Sequence, residues 1–149
     1  MASVSLPIHS LATATLGVPR IGPRRELKSA LEAHWAGRLE ETALEETAAA
    51  LRAAGWARQH ALGITQIPSG DFSLYDHVLD TAVMVGAIPE RFGWSGGPVP
   101  LATRFAMARG TSSAGRSPDA DGCGHAGHGG TPREGGVAAL EMTKWFDTN

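Results

Sequence analysis

The sequence contains a single cysteine, Cys123, so no intramolecular disulfide can form. It also has no apolar run approaching the roughly 18–20 residues that a membrane-spanning helix needs. Residues 1–7 lack both the basic region and the continuous apolar region of a secretory signal peptide. Together these absences predict a soluble protein of a reducing compartment, the cytoplasm, with no membrane partner.

No excess of charge of either sign is present. The 149 residues carry 13 Lys and Arg against 15 Asp and Glu, which gives a formal net charge of −2. This balance provides no whole-protein attraction for nucleic acid or for an anionic membrane surface. Hydrophobic residues make up 42% of the chain, which at this length is enough for one domain with a core. The composition therefore predicts an ordinary globular protein without a nucleic-acid partner.

Short β-like runs alternate with stretches whose apolar residues follow helical spacing. The predicted strands are 13–18, 64–67 and 137–146. The predicted helices are 24–37, 40–62, 78–86 and 101–109. Since a strand–helix–strand order favours a right-handed crossover and a parallel sheet, the predicted fold class is α/β.

Two segments depart from this pattern. Residues 1–12 lack periodicity and are predicted to be a disordered leader, followed by a domain at 13–149. Residues 110–136 are rich in glycine and poor in apolar side chains, so burial cannot offset their ordering entropy and they are predicted to be a flexible loop.

The glycine-rich loop contains side chains of the kinds that bind metals. These are Asp119, Asp121, Cys123, His125 and His128. Their spacing matches no zinc motif, and a single cysteine with two nearby histidines lacks a rigid frame. A simple loop is therefore the preferred interpretation, and a small metal-binding protein using Cys123, His125 and His128 is the alternative.

The stretch 17–28 is predicted to contain the end of a strand, a turn and the start of a helix, with Pro23 at the first helical position. Its cations are Arg20, Arg24, Arg25 and Lys28. Each cation near a helix N-terminus is unfavourable by roughly 0.3–1 kcal/mol, and only Glu26 agrees with the helix dipole. One interpretation is an anion site, since backbone N–H groups and basic side chains converge there. The other is a solvated charge run without a ligand.

A second polar cluster follows the second predicted strand. It comprises Asp71, Ser73, Tyr75, Asp76 and His77. Polar residues just past the carboxyl ends of parallel strands commonly form binding sites. The cluster therefore predicts ligand contacts, and capping of the next helix by Asp71 or Ser73 is the alternative.

With these motifs placed, the sequence resembles the amino-terminal part of cobalamin-independent methionine synthase, the 5-methyltetrahydropteroyltriglutamate–homocysteine methyltransferase. The similar blocks are 16–28, 35–37, 70–80, 86–91, 107–110 and 141–149. They cover nearly everything from residue 13 onward except the glycine-rich loop. The resemblance implies a partial (β/α) TIM-type barrel, roughly its first three β/α units, in a chain several times longer that holds two facing barrels.

The resemblance also implies a function. In this family a methyl group moves from N5 of 5-methyltetrahydropteroyltri-L-glutamate to the sulfur of homocysteine, which makes methionine. This part of the chain would bind the folate and its polyglutamate tail and would contain no catalytic residue. The implied folate-binding residues are Arg25, Glu26, Leu27, Lys28, Lys144 and Asn149. Among them, Lys28 is implied as a charge partner of the tail, and Leu27 as a contributor of backbone or shape.

The resemblance places a zinc ion on His, Cys and Glu ligands of the carboxy-terminal barrel, which this sequence does not contain. A closed barrel takes about 250 residues, so three strands would leave sheet edges and an apolar face exposed. We therefore expect a fragment that is inactive alone and whose partner is the missing barrel. The alternatives are a non-catalytic folate- or polyanion-binding module and the small metal-binding protein described above.

Overall fold

A computed structural model describes residues 12–111 and 136–140. Its α helices are α1 (Glu26–Trp35), α2 (Glu41–Ala61), α3 (His77–Met84) and α4 (Leu101–Arg109). A short 3-10 helix lies at Glu90–Phe92. None of the helices in these two ranges is long and apolar enough to cross a membrane.

The helices confirm the predicted pattern, with two differences at their starts. Helix α1 begins at Glu26 rather than near Pro23, because the chain still turns there: the Arg25 N–H donates to the Gly22 carbonyl at 3.1 Å. Helix α3 begins at His77 because Asp76 caps it, with Oδ1 accepting from the Leu79 N–H at 2.8 Å. The alternative in which Asp71 or Ser73 caps this helix is therefore wrong.

The chain divides into two compact units. The first comprises Met1–Glu32 and Thr42–Leu74, and the second comprises Ala33–Glu41 and Tyr75–Asn149. In the first unit the buried apolar residues recur at helical spacing on two helices, because one face of each is apolar. They are Leu27, Ala30 and Leu31 of α1 and Leu44 and Ala48 of α2.

The first two predicted strands meet in the first unit through one parallel β-bridge, between Ala14 and Gln66. The N–H groups of Thr65 and Gln66 both donate to the Thr13 carbonyl, at 3.1 and 2.9 Å. In the described ranges this contact does not extend into a longer strand. The partial barrel consequently stays a prediction.

Residues 13–18 also lie against α2. The Thr15 hydroxyl donates to the side-chain carbonyl of Gln59, which is buried in the helix. Gly55 brings α2 close to this segment, since a Cβ atom there would be 2.9 Å from Val18 Cγ2. The contact explains why a glycine, which costs about 1 kcal/mol relative to alanine inside a helix, occupies this position.

The second unit packs around Leu79 of α3 and Met107 and Ala108 of α4. Arg104 of α4 donates to Asp80 of α3 at 2.6 Å, which ties the two helices together by an ion pair. Residues 137–140 follow α4, with the Leu140 N–H donating to the Met107 carbonyl at 2.8 Å. Residues 137–140 do not form a strand, so this part of the third predicted strand is wrong, and the rest of it lies outside the described residues.

The cap of α3 provides a test of this architecture. Replacing Asp76 by alanine removes the acceptor for the Leu79 N–H and is expected to lower the free energy of unfolding by about 1 kcal/mol. Asp76→Ser keeps an N-cap oxygen and should change it by only a few tenths of a kcal/mol. Urea unfolding followed by circular dichroism measures both, and equal losses would contradict the assigned cap.

Candidate functional site

The candidate site is the turn at residues 20–28, called here the basic turn, which leads into α1. Two backbone hydrogen bonds close it: Arg25 N–H to the Gly22 carbonyl and Leu27 N–H to the Ile21 carbonyl, both at 3.1 Å. Arg25 has a φ of 64°, in the left-handed region that residues with a Cβ atom seldom adopt. The turn thus holds one of the predicted site residues in a strained backbone conformation.

The carboxylate of Glu26 occupies the N-terminal end of α1. Its Oε2 accepts from the Arg24 N–H at 2.9 Å, and its Oε1 accepts from Arg24 Nε at 3.1 Å. Hydrogen bonds from its own backbone N–H and from that of Arg24 hold the pKa of this carboxyl below its ordinary value of 4.5. The anion that the helix dipole favours is therefore supplied by the chain itself.

Gly22 is required for this arrangement. Its φ is 85°, and a Cβ atom there would lie 2.2 Å from Glu26 Oε2. Any side chain at this position would displace the carboxylate as well as strain the backbone. The absence of a side chain at residue 22 is thus what lets Glu26 reach the helix end.

The four cations of the basic turn have different surroundings. Arg20 donates to the Ser73 carbonyl at 2.5 Å and so holds the neighbouring loop. Arg24 is paired with Glu26, and Lys28 with Glu32 at 3.2 Å on the surface of α1. Arg25 is exposed, and no ion pair joins it to another residue in the described ranges.

Lys28 is available despite its ion pair. Its side chain is 47% exposed and that of Glu32 is 55% exposed. An exposed pair at this helical spacing contributes only about 0.3–0.5 kcal/mol, so another carboxylate can replace Glu32 at little cost. Leu27, in contrast, is fully buried, and its side chain belongs to the core of its unit.

The polar cluster predicted at 71–77 is divided between the two units. In the first unit, Asp71 Oδ2 accepts from the Val18 N–H at 3.2 Å. Gly17 leaves room for this contact, since its φ is 119° and a Cβ atom there would lie 2.3 Å from the same oxygen. Ser73 is buried, and its carbonyl accepts from Arg20. Asp71 and Ser73 therefore support the segment that leads to the basic turn.

In the second unit, Asp76 caps α3, His77 is exposed in its first turn, and Tyr75 packs edge-on against Trp35 at 6.4 Å between ring centroids. A neighbour of this pair, Arg109, was not among the predicted site residues; its guanidinium lies 4.0 Å from the centre of the Trp35 ring. Trp35 and Arg109 lie in two of the blocks that carry the resemblance, 35–37 and 107–110. That resemblance was the feature of the sequence that could have indicated their contact.

Two of the predicted folate-binding residues, Lys144 and Asn149, lie outside the described residues, as do the acidic, cysteine and histidine side chains of the glycine-rich loop. Within residues 12–111 and 136–140, no group of three or more His, Cys, Asp or Glu side chains is placed to hold a metal ion. The basic turn is thus the part of the predicted site that the structure describes.

Known proteins are similar to this chain over nearly its whole length. A sequence profile described as "Cobalamin-independent synthase, N-terminal domain" matches residues 12–149. The 5-methyltetrahydropteroyltriglutamate--homocysteine methyltransferase of Rhodopseudomonas palustris (strain TIE-1) is 66% identical over 142 residues, covering 94% of this chain and 17% of the relative.

Proteins of the same name from two other bacteria are similarly close. The one from Nitrobacter winogradskyi is 65% identical over 136 residues, covering 91% of this chain and 17% of the relative. The one from Bradyrhizobium diazoefficiens is 58% identical over 151 residues, covering 100% of this chain and 17% of the relative. The chain therefore spans 17% of the length of these curated relatives.

The role of Gly22 can be isolated with a matched glycine. Gly37 also has a positive φ, 68°, but nothing lies within 4 Å of a Cβ atom built there. Gly37→Ala should lower the free energy of unfolding by about 1–2 kcal/mol, because alanine is strained at a positive φ and no other contact changes. Gly22→Ala should lower it further, because it also displaces the Glu26 carboxylate. Urea unfolding at neutral pH compares the two, and equal losses would show that the carboxylate contact is unimportant.

The lowered pKa of Glu26 predicts a pH dependence. Because the folded-state pKa lies below 4.5, the ionised carboxylate stabilises the fold fully above that pH, and this contribution is lost as the pH falls through the lowered pKa. Glu26→Gln should therefore be less stable than the unmodified chain at pH 6, and the difference should shrink below pH 4.5. Urea midpoints at several pH values test this; a difference that is independent of pH would refute it.

Proposed function

Since the chain belongs to the cobalamin-independent synthase family, through the N-terminal domain of that family, we propose that it forms the folate-binding part of a 5-methyltetrahydropteroyltriglutamate–homocysteine methyltransferase. That name is the one its relatives carry. The chain spans 17% of their length, so we assign methyl transfer to homocysteine and the production of methionine to the longer polypeptide. The role proposed for this chain is to hold the methyl donor.

The observation that carries this proposal is a group of accessible cations on a closed turn, in which Arg24 is paired with Glu26 through its N–H and Nε while Arg25 and Lys28 are left for a ligand. A triglutamate tail is a string of carboxylates, and charge-assisted hydrogen bonds to such groups are roughly twice as strong as neutral ones. Arg25 can bind one carboxylate with two parallel N–H donors. Lys28, about one helical turn further on, can bind the next.

Glu26 has an indirect part in this proposal. Its carboxylate already accepts from the backbone at the start of α1. A second carboxylate at the same amides would be repelled, so the tail is directed to the side chains of Arg25 and Lys28 instead. Leu27 contributes by anchoring α1 in the core, and its N–H closes the turn. We propose that Lys144 and Asn149 add further contacts to the same ligand.

The strained backbone of Arg25 supports a functional role. A residue with a side chain in the left-handed region costs of order 1–3 kcal/mol, and such strain is concentrated at binding sites. At residue 25, glycine would adopt the same φ without this cost. The arginine is therefore better explained by its guanidinium than by the needs of the turn.

The described residues do not fit a metal site, because no suitable group of ligands is found among them. On the family resemblance, we assign the zinc ion, which would bind the sulfur of homocysteine, to the longer polypeptide and place no chemical step on this chain. We propose that residues 13–149 supply the first β/α units of a barrel, for which the parallel bridge between Ala14 and Gln66 is the supporting contact. A cytoplasmic location stays a prediction.

The folate proposal is tested by isothermal titration of the chain, shown by circular dichroism to be folded, with 5-methyltetrahydrofolate carrying three glutamates or one. The triglutamate form should bind more tightly, and Lys28→Ala should weaken its binding about tenfold, the loss of one charge-assisted hydrogen bond. Arg25→Gly should also weaken it while leaving the chain at least as stable, because the φ strain is removed.

Arg38→Ala is the matched control, since Arg38 is an exposed cation outside the basic turn. It should leave the affinity unchanged. Equal affinities for the two folates, or equal losses in all three variants, would show that the basic turn does not bind the tail.

A further inference from the structure

Two of the blocks that carry the resemblance, 86–91 and 107–110, have no part in the proposed function. In the structure both blocks contact the same short segment, residues 137–140. Lys144, one of the predicted folate-binding residues, follows the end of this segment by four residues. The contacts of residues 137–140 therefore determine from where the chain continues to Lys144.

Arg91 donates to two successive carbonyls of this segment. Its Nε lies 3.3 Å from the Ala138 oxygen, and its Nη2 lies 3.4 Å from the Ala139 oxygen. A guanidinium presents its N–H donors in a fixed planar fork, so one side chain can hold two adjacent peptide groups in a defined orientation. Because both acceptors are backbone atoms, Arg91 restrains the course of the chain rather than a side chain.

The C-terminal end of α4 makes the other contacts of the segment. The Val137 carbonyl accepts from the Thr111 N–H at 2.8 Å, and the Leu140 N–H donates to the Met107 carbonyl at 2.8 Å. Gly110 permits this close approach, since its φ is 75° and a Cβ atom there would lie 2.8 Å from the Val137 oxygen. All four residues of the segment are thus hydrogen-bonded.

Arg91 and the segment that it holds rest on the same core. Phe92, the next residue of the 3-10 helix, packs against the buried cluster formed by α3 and α4, and Leu140 packs against that cluster as well. The Arg91 guanidinium also lies 4.9 Å from the centre of the Phe92 ring. The packing of these two side chains therefore sets the distance across which Arg91 reaches the carbonyls.

We propose that Arg91 is a positioning residue of the folate site. By holding the Ala138 and Ala139 carbonyls, it directs the chain so that Lys144 meets a carboxylate of the tail. Four extended residues span at most about 14 Å, so a change of direction at Ala139 is carried to Lys144. The proposal rests on the proposed function, which supplies the ligand.

A double-mutant cycle tests this, using the titration with triglutamylated folate described above. Arg91→Ala should weaken binding about fivefold, because a displaced Lys144 loses part of one hydrogen bond to the tail. In a chain that already carries Lys144→Ala, Arg91→Ala should cause no further loss, since Arg91 acts through Lys144. In a chain that carries Lys28→Ala, the loss caused by Arg91→Ala should persist in full.

Arg91→Lys keeps the charge but not the planar fork. It should give a smaller loss than Arg91→Ala, with the same dependence on Lys144, and it serves as the test if Arg91→Ala does not fold. Arg38→Ala is the matched control, because Arg38 is an exposed arginine of the same unit. This variant should leave the affinity unchanged.

Two results of the cycle would overturn the proposal. One is an unchanged affinity in Arg91→Ala. The other is a loss that is equally large with and without Lys144→Ala, because Arg91 would then contact the ligand itself or act through the general stability of the chain.

A second measurement needs no ligand. Hydrogen–deuterium exchange of the peptide covering residues 136–140 should be about tenfold faster in Arg91→Ala than in Arg38→Ala, since local opening exposes the amides of this segment. Equal exchange in the two variants would overturn the proposal, because residues 137–140 would then keep their place without Arg91.

The failure of this proposal can be told apart from the failure of the proposed function. An unmodified chain that binds the two folates equally would overturn the proposed function, and this proposal with it. A chain that prefers the triglutamate form, but whose Arg91→Ala variant binds it normally, would overturn the role of Arg91 alone.

Discussion

The contact between the Glu26 carboxylate and the backbone at the start of α1 determines what the basic turn can do. A helix N-terminus preceded by arginines would otherwise hold positive charges against the positive end of a dipole. Glu26 neutralises that end and positions Arg24, and it reaches the backbone only because Gly22 has no side chain. Arg24 stays at the surface although it is paired with Glu26, and Arg25 and Lys28 also lie at the surface of this closed turn.

The turn is also supported by three part-buried hydrogen bonds. Asp71 accepts from the Val18 N–H, and Arg20 donates to the Ser73 carbonyl. The loop that follows α2 is therefore bound to the segment that enters the turn. Thr15 anchors the same segment to Gln59 of α2. A ligand that binds to a pre-formed turn has less conformational entropy to remove, which favours binding of a long, flexible tail.

Different parts of this arrangement could be predicted to different degrees. The helices follow from local periodicity, because an apolar face repeating every three to four residues is a property of the sequence alone. The strands are short, and their pairing depends on contacts fifty residues apart, so the sequence could suggest the segments but not how far they pair. The cap of α3 is Asp76 rather than Asp71 or Ser73, because the helix begins at His77 and an N-cap residue directly precedes the helix.

The sequence by itself determined the family, the composition of the basic turn and the positions of the helices. Those properties rest on residue identity and on spacing within about ten residues. The tertiary structure decided that Arg20 is partly buried, because its partner, the Ser73 carbonyl, lies far along the chain, whereas Arg24, Arg25 and Lys28 stay exposed. It also decided which apolar side chains of α2 are buried, since burial depends on which distant segments pack together rather than on hydrophobicity: Leu44 and Ala48 are buried, whereas Trp56 is 38% exposed.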